Sequence, residues 1–476
     1  MNAERHSRWI GCAVVLAAAI VAVLSARPYA GSWNDGSRLA TVECLVDYHT
    51  LAIDRSIFVQ VPEADARIPS PYPPDEPDLL LSGTKDKLFI DGQFYSDKSP
   101  VPALLLAGVY QVWEWSTGLT ARARPDLFCL FMTLASSGLA YVVAVASVYY
   151  LSRALQLSLG VCLLLTTSFG LATVALPYTQ YVNNHILLLG VAAPLFWGLT
   201  RLAENLRAGK PCGRWPVLVG ALAGLGYTID LGTGPILLAG TGALIVFRCR
   251  RILPVITFGL ATLPWLVLHH SVNYAVGGTL KPANAVVDYF NWPGCPFNAT
   301  NMTGGWQHPS VWHFLGYAAE LLAGKKGFLG HNPALFLLPV AFVVLARRRP
   351  KEWPELLLAV FWSVGAWLAY AATSNNASGL CCSIRWFVPL LAAAYFVLAV
   401  LLREQPRWRI DFLVLSAWGI LLAATMAWYG PWMKHMAPFY WPIQAGVLLA
   451  WGAIVTARRR RSIQRGIVPP RLAEAA

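Results

Sequence analysis

The sequence predicts an all-α polytopic membrane protein, a bundle of about twelve membrane-spanning helices carrying a large polar loop on the outer side. Three observations lead there. The 476 residues are 56% hydrophobic and only 13% charged, with a mean hydropathy of +0.50, whereas a soluble globular domain carries roughly 25% charged residues. Apolar runs of about 16–22 residues recur along the chain, the length that crosses a bilayer as helix. Basic residues cluster between those runs, and 20 Trp and 18 Tyr supply rings that favour the headgroup level. The net charge of +13 is therefore read as cytoplasmic loop charge and not as a nucleic-acid surface.

Charge orders the elements. Basic clusters stand at Arg5/Arg8, Arg153, Arg201–Arg214, Arg248–Arg251, Arg347–Lys351, Arg403–Arg409 and Arg458–Arg461. If all are cytoplasmic, an even number of spans separates neighbours. Trp9–Leu24 goes out as an uncleaved first span and Leu127–Leu151 returns. The following pairs are Leu159–Leu176 with Ile186–Leu199, Pro216–Thr228 with Gly234–Phe247, and Ile252–His269 with Pro333–Ala346. Leu356–Ala371 with Pro389–Leu402 and Phe412–Trp428 with Pro442–Thr456 complete the set. Val101–Trp113 is apolar but short, and a full span there would invert every later cluster, so it reads as an interfacial or re-entrant helix.

Two polar loops then face out, Arg27–Ser116 and His270–Asn332. In the first, Leu39, Val42, Leu45, Val46 and Ile53 give a helical stripe over Ser37–Arg55, and the Pro- and acid-rich Val61–Pro77 reads as extended. In the second, Val311–Leu322 has apolar residues at helical spacing and reads as another interfacial helix. The chain divides into a module over 1–402, which includes both loops, and a C-terminal hairpin with a basic cytoplasmic tail over 403–476.

Several polar residues near the outer surface could carry chemistry. Asp35 lies where a helix begins, so it is either a carboxylate kept ionised by free N–H groups, suited to accept a proton, or a helix cap. In Tyr95-Ser96-Asp97-Lys98-Ser99-Pro100, Lys98 can pair with a lipid phosphate or simply snorkel. Asp230 is an acid between two apolar halves, functional by default at that depth, or a turn residue satisfied by backbone N–H groups. Arg385 is a basic residue on the outer face, which calls for an anionic partner: a phosphate, or an outer-loop acid.

Asn183, Asn184, His185, His269 and His270 read first as structural residues. Lys325 and Lys326 are outer cations placed to meet headgroups. Asn298, Asn301 and Asn376 begin glycosylation acceptor sequons. The 9 cysteines show no metal-like spacing, and neither HExxH nor a related zinc motif accompanies His269, His270 and Asp97. Without a Walker A loop, a GxGxxG opening a helix or a GxSxG elbow, the sequence disfavours an ATP-driven pump, a nucleotide-cofactor enzyme and a serine hydrolase.

An inward N-terminus, a large first outer loop opening with Asp35, and Phe94-Tyr95-Ser96-Asp97-Lys98-Ser99-Pro100 before an apolar helix resemble the GT-C membrane glycosyltransferases. The branch it is most similar to holds the protein O-mannosyltransferases, the lipid A aminoarabinose transferase and the transferases that add galacturonic acid to lipopolysaccharide core. The resemblance covers most of Trp9–Leu402 and implies a GT-C-like bundle. It implies transfer of a sugar from a polyprenyl-phosphate donor to a hydroxyl or amine of a glycan, lipid or protein, on the periplasmic face of a bacterial inner membrane. It makes Asp35 the proton acceptor and Lys98 and Arg385 the ligands of the donor phosphate, with Tyr95, Asp97, Asn184 and Asp230 in support. The family's Asp-Glu pair is Asp35-Gly36 here, one Pro of its Asp/Glu-Lys-Pro-Pro is Ser99, and Asn183-Asn184 stands where many members carry a second Asp. No cofactor is fixed by the resemblance, and a divalent metal stays open. The competing reading is a flippase or transporter of a polyprenyl-linked sugar, which should show inverted repeats and helices broken at mid-membrane.

Overall fold

The structure, a computed structural model, describes residues 2–63, 68–249, 251–298, 301–302, 304–432 and 440–464. It forms two compact units, Met1–Trp432 and Met433–Ala476. In the first unit, α1 (Asn2–Ser25) leads into a polar module made of α2 (Trp33–Asp47), α3 (Pro77–Ser82), β1 (Lys87–Ile90), β2 (Gln93–Ser96) and α4 (Pro100–Thr117). Then come α5 (Pro125–Thr133), α6 (Leu139–Ala154), α7 (Leu159–Leu171), α8 (Asn184–Arg207), α9 (Trp215–Ile229), α10 (Gly234–Arg248) and α11 (Ile252–Gly277). After a second loop containing α12 (Val311–Ala323), the unit closes with α13 (Leu338–Arg348), α14 (Trp353–Thr373), α15 (Leu391–Glu404) and α16 (Arg409–Tyr429). In the second unit, α17 (Tyr440–Gln464) is described.

Among the described residues, 7 helical stretches are long and apolar enough to cross a membrane, and four shorter apolar helices accompany them. Each expected span falls on a helix, although α7 ends at Leu171, five residues short of the expected Leu159–Leu176, and Pro333–Ala346 and Pro389–Leu402 each begin in a 3₁₀ turn. The helix Phe412–Trp428, assigned from sequence to the C-terminal hairpin, lies in the first unit. The basic cluster Arg458–Arg461 falls within α17, while residues 465–476 lie outside the described residues, as do positions 299, 300 and 303 of the sequons at Asn298 and Asn301.

The polar module differs from expectation in three places. Its first helix starts at Trp33 and ends at Asp47, not over Ser37–Arg55, because Ser32 caps it and His49 turns the chain with a φ of +54°. Asn34 and Asp35 therefore lie inside the first turn. Within the stretch expected to be extended, of which 64–67 lie outside the described residues, Tyr72 is fully buried and donates to the Phe58 carbonyl at 2.8 Å. A hairpin, β1–β2, interrupts the all-α pattern. Its two-residue turn, Asp91-Gly92, has φ of +48° and +83°, the left-handed pair that suits Asp-Gly in a tight hairpin.

Burial builds the module. Leu39, Val42, Val46, Ile53, Phe58, Tyr72, Leu106, Tyr110 and Phe128 form one apolar core under α2 and α4. Two carboxylates of α2 tie the surrounding chain to it. Asp47 accepts from the Tyr110 hydroxyl at 2.8 Å. Glu43, fully buried, accepts from Ser56 Oγ at 2.5 Å and from the Ile57 amide at 3.1 Å. Burial pushes Glu43 up to about 8 despite those bonds. The folded state then holds the proton more tightly than the unfolded chain, so stability falls as pH rises from the ordinary carboxyl range to about 8. Glu43→Gln should remove this slope. Unfolding scans at pH 5 and pH 8 should show the wild type losing on the order of 2 kcal/mol relative to the variant, and parallel losses would refute the assignment.

The second loop covers the hairpin. Ala283 and Phe290 pack on Leu88 and Ile90, and Trp292 Nε1 donates to the Lys87 carbonyl at 3.2 Å. Between α5 and α6 a π turn, Leu134–Gly138, presents Ser137 Oγ to the Asn183 amide at 3.0 Å. Asn183 caps α8 by accepting from the His185 amide at 2.8 Å, which fixes where Asn184 and His185 emerge. These contacts bring the two loops together and fix the start of α8.

Candidate active site

The site begins at the N-terminus of α2. Ser32 is extended and its Oγ accepts from the Asn34 amide at 3.2 Å. Asp35, three residues into the helix, accepts from the Gly31 amide at 2.5 Å and from Ser32 Oγ. It thus ties the helix start to the two residues before it, a contact of the capping kind, one of the two roles open to it from sequence. Its side chain is fully buried, and burial raises it to about 7 against the pull of those bonds. Gly36, where the family pattern carries Glu, has no room for a side chain: a Cβ there would meet the Tyr72 hydroxyl.

Asn34 and Arg38, one turn apart, share a face of α2 that Asp35 does not. Both line a cavity of about 490 Å³, together with Asp97, Lys98, Asn184, His185, Asp230, Tyr370, Arg385 and Trp386. Asp35 and Tyr95 are not on its wall. Tyr95 instead borders a smaller recess of about 30 Å³, with Asp97, Lys98, His269 and Asn273.

Lys98 is committed. Its Nζ lies 2.6 Å from Asp86 and 2.8 Å from Asp97. Burial raises Asp97 above the usual carboxyl range, with Lys98 pulling it back. Lys98, expected from sequence to meet the donor phosphate or to snorkel, is here paired with two carboxylates. Ser99 fixes this segment to the bundle by donating to the Thr228 carbonyl at the end of α9. Ser37 Oγ donates to the Asp86 carbonyl at 2.5 Å, fixing the segment to α2.

Asp230 combines both readings the sequence left open. The Gly232 and Thr233 amides donate to its Oδ1 at 2.9 and 3.2 Å, as in a tight turn. Two side chains add to these, the Tyr370 hydroxyl at 2.9 Å and Asn184 Nδ2 at 3.1 Å, and His185 Nδ1 lies 3.1 Å from the same carboxylate. Asn184 and His185 therefore stand beside one carboxylate on the cavity wall. Tyr370 also stacks on Trp386, centroids 4.5 Å apart and 3° from parallel.

The two arginines are the unbalanced groups. Arg38 is 5% exposed, its Nε reaches Asn34 Oδ1 at 3.5 Å, and its Nη1 is buried without a partner. Burial lowers it to about 10; Asp97, Asp230 and Asp86 work against that shift and Arg385 adds to it. Arg385 opens the 3₁₀ turn before α15, its amide donates to Ser378 Oγ at 3.0 Å, and its guanidinium lies over Trp432 at 5.6 Å. Its Nε is buried without a partner. Among the described residues neither guanidinium has a carboxylate within ion-pair distance, although three acids line or adjoin the same space.

Sequence reasoning missed Arg38, Asp86, Tyr370 and Trp386. Of the outer lysines expected to meet headgroups, Lys326 instead donates to the Gly379 carbonyl. Among the described residues no group of three or more His, Cys, Asp or Glu is placed to hold a metal ion.

No family model matches the sequence, and no curated protein matches it. Solved structures are similar to it, among them the following three. One is ArnT from Cupriavidus metallidurans bound to undecaprenyl phosphate, 15% identical over 97% of this chain and 74% of that one, with a TM-score of 0.48. The same protein in the apo state is 16% identical over 98% and 74%, with a TM-score of 0.49. The archaeal oligosaccharyltransferase AglB from Archaeoglobus fulgidus, in complex with an inhibitory peptide and a dolichol-phosphate, is 12% identical over 90% and 57%, with a TM-score of 0.47. At such identities and TM-scores no residue takes its role from these neighbours.

Proposed function

We propose that the chain is a GT-C-type glycosyltransferase that moves a sugar from a polyprenyl-phosphate donor to a hydroxyl or amine of a glycan, lipid or protein. Its setting would be the outer, periplasmic face of a bacterial inner membrane. The observation that supports this reading is the pair of unneutralised guanidiniums, Arg38 and Arg385, on one cavity at the loop-covered end of the helices. A buried cation without a counter-ion costs stability, and the planar fork of Arg suits a phosphate. The stacked Tyr370 and Trp386 offer an apolar wall for a sugar ring, and Asn184 and His185 stand beside it.

In the proposed step the acceptor oxygen or nitrogen forms a bond to the anomeric carbon as that carbon's bond to the phosphate oxygen breaks. The electron pair leaves on the phosphate, whose growing charge Arg38 and Arg385 stabilise. The acceptor's proton goes to Asp35, whose affinity near pH 7 fits a base at neutral pH. Asp35 reaches the cavity only after its bonds to Gly31 and Ser32 release. His185, backed by Asp230, is the rival base already on the wall.

The test uses the full chain in detergent and native mass spectrometry. Added undecaprenyl phosphate should be retained at least tenfold better than undecaprenol, which lacks the phosphate. Lipid-linked sugars co-purified with the protein should lose their sugar when envelope glycans and lipids of the host are added. Equal retention of the two lipids would remove the phosphate site. Retention of the sugar-bearing lipid without turnover would shift the reading to a carrier.

A further inference from the structure

A second cavity shares no residue with the arginine site; from α15 it takes Ala393, Ala394 and Val397. This cavity is a groove of about 320 Å³ between α13, α14 and α15, lined almost wholly by apolar side chains, among them Phe342, Leu345, Trp353, Leu357 and Val360. It opens sideways: Phe342 is 61% exposed, Leu357 50% and Val360 38%.

Leu345 and Trp353 bracket the link between α13 and α14, which carries Arg347, Arg348, Arg349 and Lys351. The acids nearby are already taken. Arg403 holds Glu352 at 2.5 and 2.9 Å and Glu404 at 3.0 Å, and Arg248 holds Glu355 at 2.7 Å. Arg348 and Lys351 reach those same acids only at 3.8 and 3.9 Å. Among the described residues Arg347 and Arg349 have no carboxylate within ion-pair distance.

The basic link is also held in shape. The Lys351 carbonyl accepts from Arg207 at 2.9 Å and Arg248 at 3.3 Å, and the Trp353 amide donates to the Pro350 carbonyl at 2.8 Å. Arg349 sits in the left-handed region, φ +44° and ψ +62°, where a side chain is costly and glycine would be free of strain. The basic link thus joins directly onto the residues that line the apolar slot, at the cytoplasmic headgroup level that the charge pattern assigns.

We propose that this groove is a binding site for one anionic glycerophospholipid of the cytoplasmic leaflet. One acyl chain lies along Phe342, Leu357 and Val360, and the phosphate headgroup meets Arg347, Arg349 and Lys351. Charge selects the lipid class, since a zwitterionic headgroup brings its own ammonium against the same cations. The site is independent of the transferase reading.

The test is native mass spectrometry of the full chain, delipidated and titrated with phosphatidylglycerol or phosphatidylcholine of identical chains. Phosphatidylglycerol should fill one saturable site at least tenfold more tightly. Arg347→Gln with Arg349→Gln should bring its affinity down to that of phosphatidylcholine. Val360→Trp, at a laterally exposed position, should block the slot and reduce phosphatidylglycerol binding as strongly with the arginines intact. Equal affinity for the two lipids in the wild type would overturn the charge selection. Unchanged binding in Val360→Trp would separate the headgroup from the groove and overturn the site as described.

Discussion

Arg385→Ala and Arg38→Ala should each lower sugar transfer by about 100-fold, the usual cost of removing one preorganised donor from a developing oxyanion. Each should also weaken retention of undecaprenyl phosphate. The reason is the same for both: a guanidinium on the cavity wall without a carboxylate partner. Lys98 behaves differently. Lys98→Ala leaves Asp86 and Asp97 facing each other without their shared cation, so its effect mixes lost fold and lost function. The informative variant couples Lys98→Met to Asp97→Asn, which removes one charge of each sign. If Lys98 is a structural tie, this double variant keeps donor retention within a few-fold of wild type while Arg38→Ala does not. The reverse pattern would return the phosphate to Lys98 and take it from Arg38. Transfer that survives both arginine variants would remove the phosphate cradle altogether.

What could be read from the sequence follows from how local each signal is. The spans were legible because a run of apolar residues is a property of one segment, and Arg385 stood out because a cation on the outer face breaks the charge pattern. Asp230 was visible for a similar reason, as an acid between two apolar halves. Arg38 was hidden by a boundary error: with α2 started at Ser37, nothing placed Asn34 and Arg38 on one helical face. Ser32 was the missing clue, a residue able to cap a helix starting at Trp33. The hairpin is four residues a side, too short for a strand period to show, although Asp91-Gly92 is a known turn pair. Ties across the chain left no local mark. Tyr370 meets Asp230 from 140 residues away, and Lys98 meets Asp86 only because the hairpin folds between them.

Asp35→Asn should abolish transfer while leaving donor retention intact, and its pH dependence separates the two candidate bases. In the folded protein Asp35 takes its proton near pH 7, raised by burial. A base must be unprotonated to act, so turnover by the wild type should climb from pH 5 and level off above about pH 7. Asparagine retains one acceptor oxygen for the Gly31 and Ser32 donors but cannot take a proton, so the helix start loses at most a cap, about 1 kcal/mol. The same substitution reports on stability with a definite sign. A carboxyl raised from 3.8 to about 7 makes the wild type less stable as pH rises through that window, and the asparagine variant lacks this loss. The stability signature of Asp35 is the difference between wild type and Asp35→Asn, since Glu43 contributes a slope of the same sign to both. If Asp35→Asn keeps its turnover and its rising pH profile, while His185→Gln loses both with the donor still bound, the proton goes to the imidazole held by Asp230. Asp35 would then be what its bonds to Gly31 and Ser32 describe, the cap that aims Asn34 and Arg38 at the cavity.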